Sequence, residues 1–426
     1  MNVVIIGSGG REHALAYKIS KSPTLSNLYI IPGNPGTAKC GTNINLSIND
    51  FMSIGKFCKE KEIDLVVVGP EAPLVAGLSD YLRDKGVVVF GPSSFAARIE
   101  SEKSFAKKIM IENGVPTAQY REFTSDEYED AKKYLLGTTY PCVLKADGLA
   151  AGKGVLICEN ENSAINGLDE LLLQKKFGSA GDKIIIEEFL TGEETSIFAI
   201  TDGEDFICLP SSQDHKRIGE NDTGLNTGGM GAYSPAPVVT DKVLEEIKSK
   251  IIQPVLTAMS ESGNKFVGCL YAGLIITNEG PKVIEFNCRF GDPETQAVLP
   301  LLNGDFLELL HSAAAGNLDK DAVAYNGGCS ICVVASSKGY PEEYQKEFEI
   351  KGLNNITDPS VIVYHAGTKQ DGDKIVTNGG RVLGVTAFSL NKDFESVKNI
   401  VYQNFSKINF EGMYYRSDIA WRVLKK

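Results

Sequence analysis

Residues 281–296, PKVIEFNCRFGDPETQ, set an acid, an amide and a guanidinium at alternate positions: Glu285, Asn287 and Arg289. In a strand successive side chains point to opposite faces, so these three share one face while Ile284, Phe286, Cys288 and Phe290 share an apolar one. Oxygen ligands of this kind hold a hard cation, and a planar guanidinium holds a carboxylate or phosphate. An edge strand with a solvated face explains the same alternation, and these sixteen residues alone favour that plainer reading.

Three further stretches carry polar chemistry. KADGLAAGKGV, residues 145–155, ends an apolar strand in Lys145 and continues with Gly148, Gly152 and Gly154, so the backbone can approach a polyphosphate that the lysine neutralises. It is no Walker loop: the Gly148 to Gly152 spacing is one residue short, and Gly154 stands where Ser or Thr must reach the metal. A hairpin turn explains these glycines nearly as well. IIIEEFLTGEETS, residues 184–196, is an apolar strand that breaks at Leu190-Thr191-Gly192. Such a break offers backbone groups to an adenine edge and a following carboxylate to a ribose, or is a plain acidic loop. SSQDHKRIGENDTGLNTGGMGAYSP, residues 211–235, groups Asp214 to Arg217 ahead of five glycines. A loop so long and polar is either a surface excursion or a ligand cover, and its length favours the cover.

The elements around these stretches fall into three patterns. The first hundred residues alternate apolar runs (VVIIG, LYIIPG, DLVVVGP, VVVFGP) with amphipathic segments, the pattern of a doubly wound parallel sheet whose carboxyl ends bind ligands. Those ends read GSGGRE, PGNPGT, GPEAP and GPSS. GSGGREHA lacks the dinucleotide fingerprint, because Glu12 replaces the last glycine and no acid ends LYIIPG; it suits a single phosphate at a helix N-terminus, or a tight turn without ligand. From 102 the pattern is α+β, with a helix at 240–262, strands at 266–277 and 281–288, and a helix near 305–315. Residues from about 328 onward resemble a small separate module.

A chain of 426 residues suggests roughly three domains. A formal charge of −12 argues against general nucleic-acid affinity. No apolar run approaches bilayer length and MNVVIIGSGG lacks a signal leader, so a cytoplasmic protein without membrane partners is expected. Nine cysteines scattered through apolar segments suit reduced core thiols, and the single CxxC at Cys329 and Cys332 lies in a strand-like run rather than a zinc site.

Together the four stretches, in this order, resemble the ATP-grasp superfamily of carboxylate-amine ligases. RIGENDTGLNTGGMG with RFGDPETQ, preceded by GSGGREHAL and VGPEAPL, is similar more narrowly to the glycinamide ribonucleotide synthetase family, across essentially the whole chain and at the length of a monofunctional member. The resemblance implies an N-terminal phosphoribosylamine domain at 1–101, an ATP-grasp region at 102–327 with 116–192 as a mobile ATP-covering subdomain, and a C-terminal α+β module at 328–426. It implies that ATP phosphorylates glycine and that the amine of 5-phosphoribosylamine displaces phosphate from glycyl phosphate, with Mg2+ or Mn2+, in a monomer of purine biosynthesis. Carried over by position, Glu285 and Asn287 would hold the metal, Arg289 the glycine carboxylate, and Asp214 the glycine ammonium; Asp214 or Asp292 would take the amine proton. Lys103 and Lys145 would contact ATP phosphates under the cover of Gly148, Gly152 and Gly154. The backbone at Glu187, Glu188 and Leu190 would hold adenine, and Glu194 the ribose. Phosphoribosylamine would bind Gly9, Gly10, Arg11, Glu12, Asn34, Pro35, Gly36, Pro70, Glu71 and Glu294, together with Asp292, and the segments His365 to Thr368 and Gly379 to Arg381 would complete its site. Another ligase of this architecture, acting on bicarbonate, and a nucleotide-binding regulator without turnover are the alternatives; RFGDPETQ and the GMG loop point away from the first, and retention of all four polar stretches from the second.

Overall fold

The apolar runs of the first hundred residues leave no face for water, and they assemble into one parallel sheet. In the computed structural model, which describes residues 1–148, 154–174 and 182–425, its order is Thr42–Asn43, Asn27–Pro32, Asn2–Gly7, Leu65–Val68, Val89–Phe90. Val3 to Ile6 and Leu65 to Val67 are fully buried. The winding reverses about the central Asn2–Gly7 strand, so the ends at Gly7, Pro32 and Val68 open on one crevice.

Two antiparallel four-stranded sheets follow. The smaller joins Tyr120–Thr124, Lys183–Glu188, Cys142–Ala146 and Val155–Cys158; the larger joins Phe206–Cys208, Glu193–Thr201, Gly268–Thr277 and Gly280–Asn287. Ala131, Leu135, Ala164 and Leu168 on two helices cover the smaller sheet. The helical stretch from Asp241 to Glu261, interrupted by a π turn at Lys248–Ile252, lays Ile247, Ile251, Val255 and Met259 against Ile197, Ala199, Leu270 and Leu274 of the larger.

The sheet of the C-terminal module begins well before residue 328. Gln213–Asp214 and Gly231–Ser234, both from the polar loop, form its first two strands, followed by Cys329–Ser337, Arg381–Ser389 and Val361–His365. A short polar segment carries no mark of a partner a hundred residues away, which is why alternation alone made the module look separate. All nine cysteines are free, seven of them buried, with Cys329 and Cys332 inside the Cys329–Ser337 strand. Among the described residues no helix is long and apolar enough to cross a membrane.

Candidate active site

Lys145 joins the two antiparallel sheets. Its Nζ donates to the Ile284 carbonyl at 3.1 Å and pairs with Glu187 Oε2 at 2.8 Å. Lys145 and Glu187 are both 5% exposed, so each charge depends on its protein partners rather than on water. Lys107 completes the triad at 3.2 Å from Glu187 and is itself held by Thr117 Oγ1 and the Ala118 carbonyl; burial brings its ammonium down to about 8 although Glu187 opposes the shift. One turn earlier on the Lys103–Glu112 helix, Lys103 donates to the Gly148 carbonyl at 2.8 Å. Beside it Asp147 accepts from Ser104 N at 2.9 Å and Ser104 Oγ at 2.5 Å, and Ala146 N donates to the Gly154 carbonyl at 2.9 Å. The glycine loop is thus rooted at both ends. Gly152 and its neighbours at 149–153 lie outside the described residues.

The alternation of the Gly280–Asn287 strand holds with one correction. Gly273 pairs with Glu285 and Leu274 with Val283, so Ile284 is the extra residue of a bulge. Val283, not Ile284, therefore joins Phe286 and Cys288 in the core, and the carbonyl of the bulged residue is the one Lys145 takes. Glu285 stays on the polar face. Burial alone would raise its pKa, but Lys216, Lys145, Lys103 and Arg289 together hold it below the usual carboxylate range. Asn287 lies two residues along the same face, opposite Tyr271.

Arg289, just past the strand, already holds two carboxylates: Nη2 donates to Glu100 Oε1 at 2.8 Å and Nε to Glu71 Oε2 at 3.2 Å. Glu100 also accepts from Cys288 N at 2.7 Å, and burial pushes its pKa up while Arg289 opposes. Across the cleft, Lys216 Nζ lies 3.3 Å from Glu194 Oε2. Burial pushes Asp214 up to about 7; Lys216 opposes, and Glu294, Glu194 and Glu285 add to the rise. Glu294 Oε1 accepts from Tyr271 Oη at 2.9 Å, and Tyr271 Oη shares a 2.7 Å hydrogen bond with Ser196 Oγ. The smaller sheet's ladder ends at Glu188, whose N–H goes to the Gln119 carbonyl; Leu190 lies beyond, in the crossing between sheets.

A second cluster sits at the carboxyl ends of the parallel sheet. Gly9 N and Arg11 Nε each donate to Glu12 at 2.6 Å, and Arg11 Nη1 donates to the Phe290 carbonyl at 3.1 Å. Glu12 is turned inward, filling the space that side chains at Gly7 and Gly69 would occupy, and Gln296 lies where a side chain at Gly10 would be. Asn34 ties the neighbouring loop: Nδ2 donates to the Ser8 and His365 carbonyls, and Oδ1 accepts from Gly36 N and Thr37 N around Pro35. Pro70 precedes the short Glu71–Val75 helix and so delivers Glu71 to Arg289. Asp292 accepts from Gln296 Nε2 at 2.8 Å and lies 3.4 Å from Arg381; burial would raise its pKa, but Arg381 and Arg11 hold it low. The Arg289–Glu71 contact links this cluster to the lysine-rich one.

Three residues of the site carry no expectation from the sequence, Lys107, Glu100 and Tyr271, and two more, Lys216 and Ser196, stand in the polar stretches without an assigned role. Lys107 falls four residues after Lys103 on one helix face, and Lys216 alternates with Asp214, so local spacing could have found both. Glu100 and Tyr271 carry no local signal; only the packing of distant segments brings them here.

Three family models cover nearly the whole chain in sequence order: phosphoribosylglycinamide synthetase N domain at residues 1–100, ATP-grasp (A) domain at 101–295 and C domain at 330–422. The chain belongs to the phosphoribosylglycinamide synthetase family. It is 46% identical over 420 residues to the phosphoribosylamine–glycine ligase of Caldanaerobacter subterraneus subsp. tengcongensis, covering 99% of each chain. It is 46% identical over 429 residues to that of Vibrio cholerae serotype O1, covering 100% of this chain and 99% of the other. The crystal structure of phosphoribosylamine–glycine ligase from Thermotoga maritima matches at TM-score 0.85 and 32% identity, over 99% of this chain and 100% of that one. A biotin carboxylase domain from Hydrogenobacter thermophilus, solved with MgADP, matches at TM-score 0.74 over 97% of this chain and 91% of that one; at 17% identity it shares the fold alone. The lysine cluster falls within the match to the ATP-grasp (A) domain, and the loops at Gly9, Asn34 and Glu71 within the match to the N domain.

Proposed function

We propose that this chain ligates glycine to 5-phosphoribosylamine at the expense of ATP, giving glycinamide ribonucleotide, ADP and phosphate through glycyl phosphate, a step of purine biosynthesis. The observation that carries the reading is Glu285, one carboxylate facing Lys216, Lys145, Lys103 and Arg289 where the two antiparallel sheets meet. Such a site takes a polyphosphate and a carboxylate together, because phosphoryl transfer needs positioning and charge rather than a covalent nucleophile.

Lys103 and Lys145 neutralise phosphate oxygens, and the covering subdomain, 116–192, closes over them by moving about the crossing at 189–192. Leu190 and the backbone near Glu188 meet adenine, and Glu194 with Lys216 meets the ribose. Arg289 takes the glycine carboxylate by exchanging it for Glu71 or Glu100, carboxylates it already holds. Glu285 and Asn287 fit a hard divalent cation, since an ionised carboxylate and a neutral amide stand on one partly buried face. Bound there, Mg2+ would reduce the charge that opposes attack on the γ-phosphate. The sugar phosphate lies near the Gly9–Gly10 turn at the Gly10–Ile19 helix start, bordered by Asn34 to Gly36, where Arg11 adds a positive charge. Of the two acids offered as proton acceptor, Asp214 suits the incoming amine better: burial lifts it to about 7, whereas Arg381 and Arg11 hold Asp292 low. The working form is a cytoplasmic monomer acting on small molecules, in keeping with a net charge of −12 that disfavours nucleic acid.

The test is ADP release by purified protein. Release should require glycine and phosphoribosylamine together. Release with bicarbonate and an aminoimidazole ribonucleotide in their place would transfer the chain to another ligase of this fold, and ATP binding without release would make it a non-catalytic binder.

A further inference from the structure

Residues near the C-terminus grip the back of the segment that carries Asp214 and Lys216. Arg422 Nη1 donates to the Asp214 carbonyl at 3.3 Å while its Nη2 donates to Asp222 Oδ2 at 2.6 Å. Ala420 N donates to His215 Nε2 at 3.0 Å. That bond fixes the neutral imidazole with its proton on Nδ1, a buried atom with Asp222 Oδ1 3.7 Å away. Arg416, with no exposed surface, donates to Asp222 Oδ1 at 2.9 Å, to the Arg217 carbonyl at 3.0 Å and, through Nε and Nη2, to both oxygens of Asp418.

The hairpin tip needs this grip. Asn221 and Asp222 are successive left-handed residues, φ 54° and 57°, a conformation L side chains adopt at a cost. Asp418 accepts from Asn221 N at 2.8 Å, and Ser417 bonds Glu220, so the 416–418 segment holds the tip in that shape. His215 is buried against this network, and alternation turns its neighbours the other way: Lys216 reaches Glu194, and Asp214 faces Glu294, Glu194 and Glu285.

We infer that residues 416–422 are a latch, with Asp222 as its hub and Arg422 as a positioning residue, setting Asp214 and Lys216 in the cleft through the backbone of Asp214 and the ring of His215. The inference rests on the function proposed above for its kinetic reading, but not for its geometry.

Arg422→Ala tests it, because this arginine is only partly buried and leaves the Arg416 pairs intact. The latch predicts a fall in kcat of tenfold or more with KM for ATP and glycine within about threefold, and a shift of at least half a unit in the limb of the pH profile set by Asp214, which Lys216, Glu294, Glu194 and Glu285 face. Arg422→Lys keeps a cation at Asp222 without the fork that reaches both oxygens; it should lie between, and it decides the matter by the same criteria if the alanine variant melts below assay temperature. An unshifted limb, with kcat within twofold or falling only as melting temperature falls, overturns the latch. Carbon-13 NMR titration of the Asp214 carboxyl is independent of turnover. If wild-type protein releases no ADP, the proposed reaction fails, while a shifted Asp214 titration in Arg422→Ala still upholds the latch and an unchanged one defeats it.

Discussion

Glu285 matters at the scale of a single residue because it is both a ligand candidate and a charge balance. Four cations surround it, so Glu285→Gln should cut kcat by about 10²–10³-fold, the usual size of losing one preorganised electrostatic partner. It should also destabilise the free protein. Since the native pKa lies below the unfolded one, its stabilisation is present above the unfolded carboxylate pKa and is lost as pH falls through the native value. Melting curves of wild type and Glu285→Gln should therefore differ at pH 7 and converge toward acid; a constant gap would mean that packing, not charge, sets its share. Arg289→Lys separates the substrates. A lysine cannot hold two oxygens in one plane, so KM for glycine should rise about tenfold or more while KM for ATP stays nearly constant. An equal rise in both would remove Arg289 from the glycine position.

The crossing between the smaller and larger sheets is an element whose geometry is tighter than its sequence suggests. A Cβ built on Gly192 would sit 2.3 Å from the Ile276 carbonyl oxygen, a backbone atom that cannot swing aside. Gly192→Ala should cost about 1–3 kcal/mol by overpacking and raise KM for ATP, since the crossing is where adenine is proposed to lie. Urea midpoints and initial rates measure the two effects, and an unchanged midpoint would show that the strands part easily here. The break at Leu190-Thr191-Gly192 was legible because a run of isoleucines simply stops. The parallel sheet was legible for the same reason, as its strands are apolar on both faces. The bulge at Ile284 was not, since a two-residue period has no way to announce an inserted residue, and neither was the pairing of Gly231–Ser234 with Cys329–Ser337, which only tertiary packing selects. Of the candidate site, the charged residues on strands and glycine loops were readable, whereas Glu100 and Tyr271 became partners only through contacts across the fold.

For the molecule as a whole, the C-terminal module closes the crevice of the N-terminal sheet through histidines that must stay neutral. His13, on the Gly10–Ile19 helix, accepts from His365 N at its Nδ1 at 2.8 Å, and His365 Nδ1 meets Thr368 Oγ1 at 3.1 Å. Burial lowers His13 to about 3, with His365 and Lys39 adding, and lowers His365 to about 4, with Lys39 adding. Protonation of His13 at Nδ1 would remove the lone pair that the His365 amide uses and set a second cation beside Lys39. Between the ordinary histidine pKa, about 6.5, and these depressed values the unfolded chain binds more protons than the native one, so stability is full above about 6.5 and drains as pH falls toward 4. The urea midpoint should fall steadily over that window, and His13→Gln should flatten the slope at the expense of some stability at pH 7. A wild-type midpoint that stayed level from pH 6.5 to 4.5 would show that the module docks by apolar contact alone.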